Sequence, residues 1–366
     1  MGISLGKRAE ETDNLWSRDH RKGGAQTYTE VIFSNLNNGW SREKVGGHII
    51  RNNEIFNCGQ AGIVGNMGCA FSDVIGNHIH HINDRHEFGG AEMGAIKFHC
   101  GIDVVVEGNR IHHSTNGLWL DWEAQGAQVR RNAFFENNQD LFIEVCHGPC
   151  LVENNLFLSE RSFLSASQGI ACVHNLFAGE VQVLRDTNRF TMYHIPHSTM
   201  AAGVMLIYGG DDKLANNIFC GGQGPWHGTS LYDSYPTSWG DKSMENDTPM
   251  ADVNNTLPVD IHHNLYVNGT PSCIHEKNPM VLEQPVSIAV TLENGHYYLE
   301  TNLCAMDFRG EKITTACLGV AFQSGQPYEN RDGSPIEVNR DYLGTPRGEA
   351  PTAGPFEQPV ERLLLV

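Results

Sequence analysis

The chain has 366 residues, 40% of them apolar, with a formal net charge of −18 and a pI near 5.4. That balance argues against nucleic-acid or anionic-membrane partners, which need clustered Lys and Arg, and is compatible with a neutral sugar. No apolar run approaches the roughly 18 residues of a membrane-spanning helix, and Met1 to Arg8 (MGISLGKR) lack the apolar core of a signal peptide. A cytoplasmic location is therefore the expectation.

In chain order, residues 1–43 are expected to lead into the first rungs of a solenoid, 44–345 to form it, and 346–366 to be an irregular tail rich in Pro and Gly. A solenoid can be this long as one unit because each repeat contacts only its neighbours. The repeat is short: Asn, any residue, a large apolar residue, then usually an aromatic or His. It occurs at Asn53, Asn77, Asn109, Asn132, Asn155, Asn175, Asn217 and Asn264, with spacings of 24, 32, 23, 23, 20, 42 and 47. Periods of about 20–25 residues with short β-rich segments predict an all-β chain folded as a parallel β-helix with rim loops. The alternative, a leucine-rich repeat, needs helices and a dense Leu pattern; helical periodicity is weak throughout.

Each Asn reads as a turn residue that tolerates left-handed backbone and, stacked rung on rung, forms an amide ladder. The 32-residue spacing implies an insert near Asp84–Gly94, and the two longest spacings a second rung or rim loops. The Gly221–Trp239 loop, rich in Gly and aromatics, reads as a groove rim or an ordered surface loop. Beyond Lys277, Val286–Leu292 and Tyr297–Glu300 read as strands around a Glu-Asn-Gly turn, either last rungs or a closing sheet. The ten cysteines are scattered and read as buried thiols, and the lone Cys146-x3-Cys150 has no second pair to make a zinc site.

Two carboxylates share one register. Asp121 follows Asn109 by 12 residues and Glu144 follows Asn132 by 12; each precedes the next ladder Asn by 11. Period-2 alternation then turns Leu118, Leu120, Leu141 and Ile143 inward and Asp121 and Glu144 outward, on adjacent rungs roughly 4.8 Å apart. By the same count the slot holds Phe98 one rung earlier and Asn66 before that. Stacked like charges destabilise a sheet, so such a pair implies a shared proton or a bound cation. A retaining glycosidase needs two carboxyls about 5–5.5 Å apart. Trp119 and Trp122 flank Asp121, with Phe98 and Phe142 nearby; aromatic faces suit sugar rings and raise a carboxyl pKa by desolvation.

Other residues are candidates around this pair. Glu92 reads as a ligand for sugar hydroxyls or a solvated loop charge. Lys97, beside the slot on the strand that also carries His99, is costly if buried unpaired. His147 follows Glu144 by three residues and is placed to tune it. Glu123 is the rival carboxylate, expected at a turn. His78 and His80 alternate onto one face, which permits chelation, but no Cys or carboxylate completes a site by spacing; with His81, His112 and His113 they read as surface histidines. No metal or organic cofactor is expected.

The segments Gly94-Ala-Ile-Lys-Phe-His99, Gly117-Leu-Trp-Leu-Asp-Trp122 and Asp140-Leu-Phe-Ile-Glu-Val145 resemble glycoside hydrolase family 120, the β-xylosidases with a right-handed parallel β-helix. Lys22–Phe33 is also similar to that family, and the resemblance covers roughly residues 10–270. It implies Asp121 as nucleophile, Glu144 as acid/base and Glu92 at a position that holds the sugar. Lys97, His99, Trp119, Trp122 and His147 are then the expected substrate contacts. It also implies a chain that begins inside the family's domain, without its N-terminal part and inserted β-sandwich module. The expected partners are a small oligosaccharide and, if the chain self-associates, a second copy of itself. Two other readings stay open: a β-helix polysaccharide lyase, and an inactive truncated fragment of a β-xylosidase.

Overall fold

The computed structural model describes residues 1–6, 24–90, 92–184, 189–221, 257–273, 275–303 and 308–366. Three parallel sheets of seven, nine and nine strands among these residues form the faces of a right-handed β-helix. The first sheet runs through Ile3–Leu5, Ala61–Gly65, Gly94–His99, Asn116–Asp121, Gln139–Glu144, Arg161–Ala166 and Glu180–Val183. Its inward residues, including Leu118, Leu120, Leu141 and Ile143, join one core with the inward residues of the other two sheets. Inside the third sheet, Phe134, Phe157, Phe177, Phe219 and Tyr266 stack at 5.1–5.5 Å between ring centroids. That spacing is the rung repeat itself.

The Asn ladder is present along its whole length. Asn53, Asn77, Asn109, Asn132, Asn155, Asn175 and Asn217 each donate through Nδ2 to Oδ1 of the next Asn at 2.9–3.0 Å. Asn264 ends the run by donating to Glu276 Oε2 at 2.9 Å. The left-handed backbone falls one residue earlier than expected. Asn52, Gly76, Gly108, Arg131, Asn154, His174, Asn216 and His263, each just before a ladder Asn, carry the positive φ. The unbroken amide contacts also settle the long spacings. Each of the 32-, 42- and 47-residue intervals is one rung plus an insertion, not two rungs. The insertion after Asn175 contains an antiparallel pair, Phe190–His194 and Ala201–Leu206.

Asn155 is fully buried and makes five such bonds: Oδ1 accepts from Asn132 N and Nδ2, and Nδ2 donates to Val129 O, Glu153 O and Asn175 Oδ1. Asn155→Ala leaves buried donors and acceptors without partners. It is expected to cost about 3 kcal/mol or more, measured as a lowered denaturant midpoint.

The ends of the chain differ from the sequence reading. Residues 3–5 already pair with 63–65, so the N-terminal segment contributes a rung strand. A 14-residue helix, Gly24–Asn37, follows. It buries Ile32 and packs Tyr28, Val31 and Leu36 near Met67, Phe71, Cys100 and Ile102. The parallel ladder stops at Glu276–Lys277 and Met280–Val281 instead of continuing to 345. Ile288–Glu293, His296–Thr301 and Arg362–Leu364 form an antiparallel closing sheet, so the tail is not irregular throughout. Its side chains cover the outside of the third sheet over Ala133, Leu156, Leu176, Ile218 and Leu265. Ile313, Leu318, Tyr328, Ile336 and Val338 cover the second sheet over Leu151, Ala171, Val173 and Ala215. Trp119, Phe142 and Leu164 on the outer face of the first sheet remain only half-buried.

Nine cysteines are described, all as free thiols; seven are buried, among them Cys146 and Cys150. No described helix is long and apolar enough to cross a membrane.

Candidate active site

Asp121 and Glu144 are paired residues on adjacent strands of the first sheet, as the counting predicts. One rung earlier the slot holds His99, not Phe98. Phe98 pairs with Leu120 and is wholly buried in the core. A one-residue slip exchanges the two faces of a strand, so Phe98 cannot line the groove.

His99 brings the surrounding groups together. Its Nε2 lies 3.3 Å from Asp121 Oδ2 and 3.7 Å from Glu92 Oε1. Lys97, fully buried, donates from Nζ to Asp121 Oδ2 at 2.5 Å. The same ammonium sits 3.0 Å from the ring centroid of Trp119, the next outward residue along the sheet. A buried Lys is thus paired with a carboxylate and covered by a π-face. Asp121 is 4% exposed, and its second oxygen, Oδ1, is buried without a hydrogen-bond partner among the described residues. An unpaired buried oxygen costs about 1–3 kcal/mol, a cost that a bound ligand can relieve.

Glu144 is held differently. Trp119 Nε1 donates to its Oε2 at 3.1 Å, and Arg189 pairs with its Oε1. Arg189 also lies over the Trp122 ring, 4.9 Å from the centroid. Trp119 in turn stacks on Phe142, with centroids 5.1 Å apart. The helix contributes Tyr28, whose ring is 4.9 Å from Trp122 and 5.5 Å from His99. Its hydroxyl reaches Asn66 Oδ1 at 3.2 Å and Cys100 Sγ at 3.1 Å. Sequence reasoning missed both Tyr28 and Arg189. The helix left a signal in the apolar spacing of Tyr28, Val31, Ile32 and Leu36. Arg189 left none, because it stands in an insertion, 45 residues from its partner.

The electrostatics separate the two carboxyls. Burial pushes the Asp121 pKa up from the ordinary carboxylate range, and Lys97 is the strongest opposing influence. Glu144 is pushed up by burial and again by the Asp121 charge, with Arg189 opposing. Lys97 is itself driven down by burial and held up by Asp121. Each carboxyl thus has a cation within hydrogen-bond distance favouring its ionised form, Lys97 for Asp121 and Arg189 for Glu144, while Glu144 is also pushed toward its protonated form by the neighbouring Asp121 charge.

Two candidates lie elsewhere. His147 is buried beneath the groove: Nε2 meets Thr191 O at 3.1 Å and Nδ1 meets Gln168 Nε2 at 3.2 Å. It thus braces the strand next to Arg189 and is not placed as a direct sugar contact. Glu123 is buried, with Oε2 3.1 Å from His194 Nε2. Trp122 and Glu123 both have positive φ, 42° and 68°, so Glu123 stands at a turn, as expected. Beyond Gly221, the Gly221–Trp239 loop lies outside the described residues.

A family model for the right-handed β-helix region matches residues 20–187. The structure of XylC in complex with xylose matches with a TM-score of 0.90 and 37% sequence identity, over 100% of this chain. The chain is similar to XylC along its whole length and shares the right-handed β-helix. It spans 59% of the length of XylC. None of the curated proteins compared matches.

Proposed function

We propose that the chain is a retaining glycoside hydrolase that releases xylose from the non-reducing end of xylobiose and xylo-oligosaccharides. The observation that carries this reading is the pairing of Asp121 with Glu144 on neighbouring rungs, one beside Lys97 and the other beside Arg189. A rung step of roughly 4.8 Å leaves no room for a water between attacking group and sugar, so attack is by a carboxylate. Asp121, ionised against Lys97, attacks the anomeric carbon and forms a glycosyl-enzyme. Glu144, protonated, gives its proton to the leaving oxygen. It then takes a proton from the water that releases xylose. Trp119, its ring between Lys97 and Phe142 and its Nε1 on Glu144, positions the carboxyl pair, and Glu92 and His99 are placed beside the nucleophile to hold hydroxyls. The likeness to a xylose-bound relative supports a pentose substrate.

The lyase reading loses its base. That reading needs a Lys or Arg as base, and both cations next to the carboxylates are held in ion pairs, Lys97 with Asp121 and Arg189 with Glu144. The fragment reading is tested by the activity itself. The purified chain is expected to hydrolyse an aryl β-xyloside faster than the matching arabinofuranoside, glucoside or fucoside. No hydrolysis of any of the four would reject the proposal.

The pH profile gives a second test. Arg189 lowers the Glu144 pKa, so Arg189→Met removes a lowering influence and the pKa rises. Glu144 then stays protonated to higher pH. The basic limb of the kcat/KM profile should move to higher pH, while the acid limb, set by ionisation of the nucleophile, moves less. A basic limb that stays in place or moves down would remove Glu144 as the proton donor.

A further inference from the structure

The outer face of the third sheet carries a second cluster, away from the carboxylate groove. Glu54 and His78 are paired across two rungs, as are His80 and His112. His78 Nε2 is 2.8 Å from His112 Nε2. One nitrogen from each of His78, His80 and His112 lies within 4.8 Å of the other two. A carboxylate stands beside them. Glu54 Oε1 is 3.5 Å from His80 Nε2 and 3.7 Å from His78 Nδ1.

We propose that His78, His80 and His112, with Glu54 as a fourth ligand, form a binding site for a divalent transition-metal ion of the zinc class. Three imidazoles and a carboxylate are a donor set that suits Zn²⁺, with tetrahedral bonds of about 2.0–2.2 Å. The outer neighbours select which ring nitrogens are available. His80 Nδ1 meets His81 Nδ1 at 2.7 Å, and His112 Nδ1 meets His113 Nδ1 at 2.6 Å. His113 continues to Glu136, with Nε2 to Oε2 at 3.1 Å. These contacts engage the Nδ1 atoms of His80 and His112 and leave Nε2 of both rings facing His78 and Glu54. Engaging one ring nitrogen so that the other is held for a metal is the usual outer arrangement of imidazole ligands. His112 is further fixed by stacking on Phe135 at 4.6 Å and by Tyr297 of the closing sheet at 5.1 Å. The ion would join the Glu54–Cys58, His78–Ile82 and Arg110–Ser114 strands, clamping three consecutive rungs.

The test uses the full chain, without an affinity tag and stripped with chelator, titrated with Zn²⁺ by calorimetry and by thermal melting. One saturable site per chain and a Zn²⁺-dependent rise in Tm are expected. His78→Gln and His80→Gln change partly exposed rings and should fold as the parent does, by circular dichroism, while losing the site. Glu54→Gln should weaken it by about tenfold or more. Absence of a saturable site in the parent, or undiminished binding in both His variants, overturns the proposal. Binding lost only in His263→Gln would also overturn it, by placing the ion at the separate His262, His263 and Glu311 group.

Discussion

Asp121→Ala is expected to reduce hydrolysis of an aryl β-xyloside by at least about 10⁴-fold, near 5.5 kcal/mol of transition-state stabilisation. Added azide is expected to restore part of the turnover and to give the α-xylosyl azide. A small anion can occupy the space left by the carboxylate and attack from that side, but it cannot be displaced a second time. One displacement inverts the anomeric centre, where the proposed mechanism performs two. The substitution also leaves Lys97, fully buried and donating to Asp121 at 2.5 Å, without its anion. Breaking a buried pair costs about 3–5 kcal/mol, so Lys97→Met with Asp121→Ala is the companion that separates lost chemistry from lost folding. A double variant that folds as the parent does and is equally inactive assigns the loss to the nucleophile. Activity within tenfold of the parent in either variant would remove Asp121 from the mechanism.

Glu144→Ala divides substrates by leaving group. With xylobiose, whose leaving alcohol needs a proton, the loss should be about 10²–10⁴-fold, the usual contribution of general acid catalysis. With an activated aryl xyloside the first step needs little protonation, so the defect shifts to hydrolysis of the glycosyl-enzyme. Azide attacks that intermediate without base assistance, and is expected to accelerate turnover and give the β-xylosyl azide. Opposite azide anomers from the two variants assign opposite roles to the two carboxyls. An equal loss on both substrates, with no azide effect, would take the acid/base role from Glu144.

The part of the site that was legible in the sequence belongs to the regular part of the solenoid. Asn109, Asn132 and Asn155 are spaced by 23 residues, and counting from them places Asp121 opposite Glu144. The same count failed one rung earlier. His99, the true partner of Asp121, precedes Asn109 by 10 residues where Asp121 precedes Asn132 by 11. A corner one residue shorter reverses the faces, which sent Phe98 to the groove on paper and to the core in the fold. The ladder itself was readable because the same Asn recurs on every rung. Its left-handed residues were misplaced by one because the amide is held by neighbouring rungs, while the residue before it takes the turn.

What was not legible lies off the repeat. Arg189 comes from an insertion, and the nearness of His147 to Glu144 in sequence misleads, because its ring faces Thr191 and Gln168. The closing sheet and its tail strand pair antiparallel across long separations, which no local periodicity records. The histidines of the third sheet are different: His80 and His112 each follow a ladder Asn by three residues, and Glu54 and His78 by one, so the ladder count already makes them neighbours.

With Asp121 stacked on Glu144 as nucleophile and acid/base, the proposed reaction is a double displacement. The most direct test is the anomeric configuration of the xylose first formed from an aryl β-xyloside, followed by NMR before mutarotation equilibrates it. β-Xylose is expected to appear first; α-xylose appearing first would mean a single displacement by water and would rule out Asp121 as nucleophile.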